Sequence, residues 1–303
     1  MAIPFVRDFD FEYGKLTQLS PLIQRVIADN PGPFTYTGTG VYIIGTDEVA
    51  IIDPGPLTPA HIKAVDKALE GRRLTHVFVT HHHIDHSPMA LPLAQKHGCK
   101  VYGYGRQIQL PDGGDVRLEA GDDLNFKPDI EINDGDIFKG KDWTLEAIHT
   151  PGHTSNHMCY ALHEENTLFS GDHIMGWSTS VVSPPDGSMG DYLASLKRVK
   201  VRHFSCIRPT HGPAIKEVDS FIQAYIDHRH HRDRQIMDAL ATGLTNIKDI
   251  VKHIYTDVDP RLHPAAAHSV LAHIIHMYET DRVHCDGVPS LKRAYHLKCD
   301  QTG

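Results

Sequence analysis

The sequence predicts an α/β fold with a smaller helix-rich unit behind it. Three observations lead there. Apolar, β-branched runs alternate with helix signals through the first two thirds of the chain. Several of those runs end in a histidine or aspartate flanked by glycine or proline, which let the backbone turn sharply. From about residue 216 onward the apolar spacing becomes that of long helices.

Residues 40–44 (GVYII) and 49–52 (VAII) read as two strands of a hairpin around Gly45-Thr46-Asp47, and Asp53-Pro54-Gly55 ends the second strand. Thr58 then caps a helix, Pro59 opens it and Gly71 closes it. Residues 74–79 read as a buried strand running into Thr80-His81-His82-His83-Ile84-Asp85-His86, the pattern H-x-H-x-D-H. Ser87-Pro88 opens a further helix, whose first N–H groups are expected to face that loop. Three later strands also end in potential ligands. Residues 143–148 lead to His149 and His153, residues 167–170 to Asp172, and residues 206–210 to His211.

The potential ligands are His81, His83, Asp85, His86, His153, Asp172 and His211. A mixed histidine and carboxylate set suits zinc better than calcium or magnesium, which prefer oxygen shells. Seven donors exceed one tetrahedral ion and fit two ions sharing a carboxylate. His82 occupies the variable slot of the motif and is expected to point away. His149 is expected to support the loop carrying His153. His157 is read as a residue able to meet substrate or leaving group at the metal rim, with a supporting role as the alternative. Residues 176–187 are rich in loop formers and read as a lid, with Trp177 as a substrate-binding wall or interface residue.

In motif order and spacing, residues 38–212 resemble the metallo-β-lactamase superfamily. The resemblance implies a four-layer αβ/βα sandwich with the metals at one edge between two sheets. It assigns His81, His83 and His153 to one zinc and Asp85, His86 and His211 to a second. Asp172 bridges, and Asp53 lies behind the ligands to orient a histidine. The tail reads as helices at 217–241, 246–255 and 263–280, then two short strands around Asp286-Gly287-Val288-Pro289. That order is similar to a winged helix, and divides the chain into residues 1–216 and 217–303. The segments Ile174-Met175-Gly176-Trp177, residues 191–196, and Tyr225-Ile226-Asp227-His228-Arg229 resemble the branch of the superfamily with such a tail. That branch includes an endoribonuclease and thioesterases of polyketide pathways.

The resemblance implies hydrolysis by a hydroxide shared between two zinc ions, with Asp85 also orienting the nucleophile. Manganese or iron are alternative metals. The substrate expected is a small-molecule thioester or carboxylic ester, or single-stranded RNA. A β-lactamase or glyoxalase II-like activity is the alternative, and a non-catalytic metal-binding regulator is the reading from another class. The chain carries a formal charge of −8 over 303 residues, and acidic residues slightly outnumber basic ones beyond Glu217. Residues 263–280 contain no lysine or arginine, so duplex DNA is not an expected partner. No redox fingerprint or P-loop pattern is present. No apolar run approaches a membrane span, and the N-terminus has no signal-peptide pattern. Five cysteines without a C-x-x-C read as reduced thiols, so a cytoplasmic location is expected. The histidines at 228, 230 and 231 alternate with charges and are expected on a solvated face, and His268, His273 and His276 in packing or solvent.

Overall fold

The computed structural model of the chain describes residues 3–105, 121–256 and 258–298. One sheet places seven strands side by side in chain order: β1 (Thr17–Gln18), β2 (Ile23–Ile27), β3 (Gly40–Ile44), β4 (Glu48–Ile52), β5 (Arg73–Phe78), β6 (Lys100–Gly103) and β7 (Ile130–Glu131). It is antiparallel up to β4 and parallel from β4 to β7. A second sheet contains β8 (Ile137–Lys139), β9 (Thr144–His149), β10 (Met158–Leu162), β11 (Thr167–Gly171) and β12 (Cys206–Pro209), in the order β12-β11-β10-β9-β8.

Side-chain alternation along the strands accounts for the layering. From β3 and β4, Val41, Ile43, Val49 and Ile51 pack on Val65 of α1 (Pro59–Ala68) and on Leu93 of α2 (Ala90–His97). Their neighbours Tyr42, Ile44, Ala50 and Ile52 face the other way, against Leu145, Ala147, Tyr160 and Phe169 of the second sheet. On that sheet's far side, Cys159, Ala161, Leu168 and Ile207 meet Tyr192 and Leu196 of α3 (Met189–Lys200) and Phe221 of α4 (Val218–Ala241). Helices, sheet, sheet, helices is the expected four-layer sandwich. Each fully buried aliphatic or aromatic side chain in it contributes roughly 1.5–3 kcal/mol.

Local chemistry sets the ends of the helices. The Thr58 hydroxyl accepts from the His61 amide and Pro59 opens α1, as the sequence suggested. The helix after the ligand loop differs from expectation. It starts at Ala90, because the Ser87 hydroxyl is directed at Asp123 (2.8 Å) and the His83 carbonyl instead of capping. The Met89 and Ala90 amides are taken by the carbonyls of Gly55 and Ser87, so they do not face a ligand.

Beyond α4, α5 (Ile247–Ile254), α6 (His263–Glu279) and the hairpin of β13 (Val283–His284) with β14 (His296–Leu297) form a winged helix around Ile236, Ile250, Ile274 and Tyr295. The long helix α4 serves both cores. Val218, Phe221, Ile222 and Tyr225 belong to the sandwich, and Ile236, Ala239 and Leu240 to the winged helix. A cut at residue 217 would therefore uncover the sandwich. Sharing two cores also corrects the expectation for residues 227–234. Of the three histidines expected on a solvated face His231 is exposed, but His228 and His230 are half-buried, and their neighbours Arg229 and Asp233 are buried. His273 is buried too, bonded to Asp233. Among the described residues no helix is long and apolar enough to cross a membrane. Four cysteines are free thiols, and Cys299 lies outside the described residues.

Candidate metal centre

Four strand ends converge at one edge. The chain leaves β5 and delivers His81, His83, Asp85 and His86; β9 delivers His153, β11 Asp172 and β12 His211. The Met158 amide donates to the Thr80 carbonyl (2.8 Å), which joins the ligand loop of one sheet to a strand of the other. The Thr210 amide donates to Gly171 (3.1 Å) and the Thr210 carbonyl accepts from Gly40 (2.7 Å).

The structure brings all seven sequence-identified ligands together in three overlapping groups. They are His81, His83 and His153; His81, His86 and Asp172; and Asp85, His86 and His211, with ligand atoms in each group within 4.8 Å of one another. All are buried. Three of the imidazoles are oriented from behind. The Nδ1 of His86 meets Asp53 at 2.8 Å, that of His153 the Val181 carbonyl at 2.7 Å, and that of His211 the Gly38 carbonyl at 3.1 Å. This leaves their Nε2 atoms for the cluster.

Charge at the site is unbalanced in favour of cations. Burial alone would raise the Asp85 carboxyl, but His86 and His211 outweigh it and hold it at about 2. Burial opposes protonation of His211, yet Asp172 and Asp85 push it up to about 10. Asp85 Oδ2 lies 3.1 Å from His211 Nε2, and Asp172 carboxylate oxygens lie 3.5 Å from His211 and 3.6 Å from His86. Buried carboxylates facing imidazoles attract positive charge, either as protons or as metal ions. Among the described residues the enclosed Asp85 Oδ1 has no hydrogen-bond partner, and Asp172 Oδ1, His86 Nε2 and His211 Nε2 face only the opposite charges of this cluster, without a well-aligned hydrogen bond. An unpaired buried donor or acceptor costs about 1–3 kcal/mol, and metal ligation removes that cost. The donor set and its orphaned atoms fit two divalent ions.

Asp53 sits at the end of β4 in the left-handed region (φ 49°), and its carboxylate orients His86. His149 stacks on Tyr104 (4.2 Å between centroids) and contacts the Ser155 carbonyl (3.0 Å), pinning the loop that carries His153. His82 turns to Asn156 (2.9 Å) and toward Asp122 (3.3 Å). His157 is not at the rim. It is fully buried, its Nδ1 meets the Thr150 hydroxyl (2.9 Å) and its Nε2 accepts from the Asp172 amide (3.2 Å). With both nitrogens engaged it steadies the Asp172 loop and cannot meet substrate, which corrects the first of its two readings. Trp177 is half-buried, stacked on Tyr36 (4.7 Å, 9°) and packed over Gly212 beside His211. The 176–187 segment is tied down by Val181, Ser180 and Ser178, each through its carbonyl.

Sequence reading missed Thr80 and Thr210. Both hydroxyls donate to Asp53 Oδ2, at 2.8 and 2.9 Å. The signal was present, since a threonine directly precedes a ligand in Thr80-His81 and again in Thr210-His211. It also missed Asp122, 3.5 Å from His83, which no motif marks.

Residues 36–211 match the family described as the metallo-beta-lactamase superfamily, and residues 247–288 the beta-lactamase associated winged helix domain. The "Lactamase-like protein adaB" of Aspergillus niger is 28% identical over 96% of this chain and 94% of its own. The "Atrochrysone carboxyl ACP thioesterase dmxR1" of a Cryptosporiopsis species is 33% identical over 74% of this chain and 64% of its own. A solved beta-lactamase domain protein from Burkholderia ambifaria superposes with a TM-score of 0.80 over 96% of both chains, at 19% identity, a likeness of fold.

Proposed function

Because this chain belongs to the metallo-β-lactamase superfamily of hydrolases, we propose that it hydrolyses a thioester or related carboxylic ester at the centre formed by the seven ligands, with two divalent ions, zinc first among them. The observation that carries the proposal is the abutment of a three-histidine group on an Asp85, His86, His211 group, with Asp172 touching the second. His81, His83 and His153 would hold one ion, Asp85, His86 and His211 the other, and Asp172 both. Divalent ions held there would supply Lewis acidity, drawing the pKa of water toward neutrality and polarising the substrate oxygen.

The chain's own groups define the rest. Asp53 fixes the His86 ring, and His157 fixes the backbone amide of Asp172. Among the described residues Asp85 Oδ1 has no hydrogen-bond partner, so it can accept a hydrogen bond from attacking water and orient it. Cys159 offers no covalent alternative, because burial pushes its thiol up to about 12. Trp177 and Tyr36 form the apolar wall next to His211 against which the acyl part would lie. The thioesterase name of a relative 33% identical supports a thioester over RNA. The lack of lysine and arginine in α6 supports the same choice.

A hydrolysis panel on the zinc-loaded protein tests this, with acyl thioesters, a lactone, a cephalosporin and single-stranded RNA. Thioester turnover is expected, with close to two equivalents of metal per chain. In Asp172→Ala at least one equivalent and nearly all turnover should be lost. Cleavage of RNA alone, or full metal and activity in Asp172→Ala, would overturn the reading.

A further inference from the structure

The segment Tyr225-Ile226-Asp227-His228-Arg229 has no part in the ligand set, yet two of its side chains are buried against the loop that follows Asp172. Tyr225 and Arg229 are one helical turn apart on α4 and share a face. The Tyr225 hydroxyl accepts from the Met175 amide (3.2 Å) and lies 2.5 Å from the carbonyls of Met175 and Ser178, one of which takes its proton. Arg229 Nη2 donates to the Ser180 carbonyl at 2.6 Å, and its guanidinium lies 5.1 Å over the Tyr192 ring.

The gripped strap, residues 175–181, meets two of the candidate ligands through its last two residues. The Ser180 hydroxyl donates to the backbone carbonyl of Asp172. The next residue, Val181, provides the carbonyl that sets the His153 ring (2.7 Å). Arg229 is itself an expensive group to bury. It is 3% exposed, and among the described residues its Nε has no hydrogen-bond partner and no carboxylate forms an ion pair with it. A guanidinium buried on a carbonyl and a ring gains less than it loses in hydration. Stability alone is therefore a poor reason for an arginine here, whereas long reach and directed N–H groups suit the holding of a strap.

We propose that Tyr225 and Arg229 are positioning residues for the metal centre, clamping residues 175–181 so that His153 and Asp172 present their ligand atoms in register. The long helix α4, which continues into the winged helix, thereby reaches the centre without contributing a ligand. This rests on the two-metal reading above.

The test uses the full chain and reads metal affinity by chelator competition, the visible spectrum of the cobalt-substituted protein, and thermal unfolding without metal. Arg229→Met keeps the apolar stem and removes the donors. It should bind one of the two ions about 10–100-fold more weakly, the usual scale for losing a group that orients a ligand, and should alter the cobalt spectrum. Arg229→Lys, which can still reach the Ser180 carbonyl, should recover part of both. If Arg229→Met fails to fold, Tyr225→Phe, lacking one hydroxyl, carries the same comparison. A lower unfolding temperature with both affinities and the spectrum unchanged would show that the clamp serves only folding and would overturn the proposal. Wild-type protein that binds no metal would instead overturn the two-metal reading, and the proposal with it.

Discussion

Asp53 Oδ2 accepts from His86 Nδ1 at 2.8 Å, and the same oxygen takes the hydroxyls of Thr80 and Thr210. Oδ1 accepts the Thr80 amide at 2.8 Å. One carboxylate at the end of β4 thus gathers the exits of β5 and β12, which belong to different sheets. It fixes the His86 ring and closes the edge of the sandwich at the same time.

Replacing Asp53 should separate those two tasks. Asp53→Ala strands four buried donors, each worth about 1–3 kcal/mol, so the apo protein should unfold at markedly lower urea. Asp53→Asn keeps the shape but places an N–H₂ group where donors already point. Its urea midpoint should fall less, while affinity for the ion held by His86 falls about 10–100-fold. Unchanged metal binding in both variants would remove Asp53 from the centre.

The loop from β9 to β10 makes a second demand. Gly152 sits at φ 136°, and a Cβ there would run into the Tyr192 backbone on α3. Its carbonyl also accepts the Ser188 amide at 2.9 Å, at the start of α3. Gly152→Ala must either strain the backbone, at about 1–3 kcal/mol, or lift the loop that carries His153. Weaker binding of one metal together with a lower unfolding temperature is expected. A variant with wild-type values of both would mean that the loop is free to relax.

What could be read in advance followed from local signals. Strands ending in ligands, the capped start of α1 and the order of the tail elements are written in neighbouring residues, and the structure carries them. The missed features depend on contacts distant in sequence. His157 looked available because nothing near it marks the Asp172 amide, fifteen residues on, as its partner. His228 looked like a member of a solvated face because sequence spacing does not reveal that α4 lies against two cores. Ser87-Pro88 looked like the start of a helix, but the Ser87 hydroxyl is drawn to Asp123, thirty-six residues away.

The Asp233–His273 pair gives the winged-helix side an acid sensitivity of its own. His273 Nδ1 lies 2.7 Å from Asp233 Oδ1. Burial outweighs that carboxylate and drives His273 down to about 4 from its usual 6.5. The unfolded chain therefore takes up a proton that the folded chain refuses. Stability from this group is complete above pH 6.5 and is lost as pH falls toward 4, on the order of 3 kcal/mol in all. Urea midpoints should drop over that window. In His273→Gln the slope should flatten, and an identical pH profile would assign the acid lability elsewhere.

Trp177 is expected to act on substrate without acting on metal. It stacks on Tyr36 at 4.7 Å, and its indole would stand 2.9 Å from a Cβ at Gly212, the neighbour of His211. None of its atoms accounts for the orientation of a ligand, since the His211 ring is set by the Gly38 carbonyl. An aromatic wall binds the acyl part equally in ground and transition states, so its loss should appear in KM and not in kcat. Trp177→Ala should raise KM about 10-fold for a long-chain acyl thioester, the equivalent of roughly 1.4 kcal/mol of contact. A short acetyl thioester, which cannot reach the wall, should be little affected. Metal content should stay at the wild-type value. If kcat falls with KM unchanged, or a metal is lost, Trp177 supports the centre and the wall lies elsewhere.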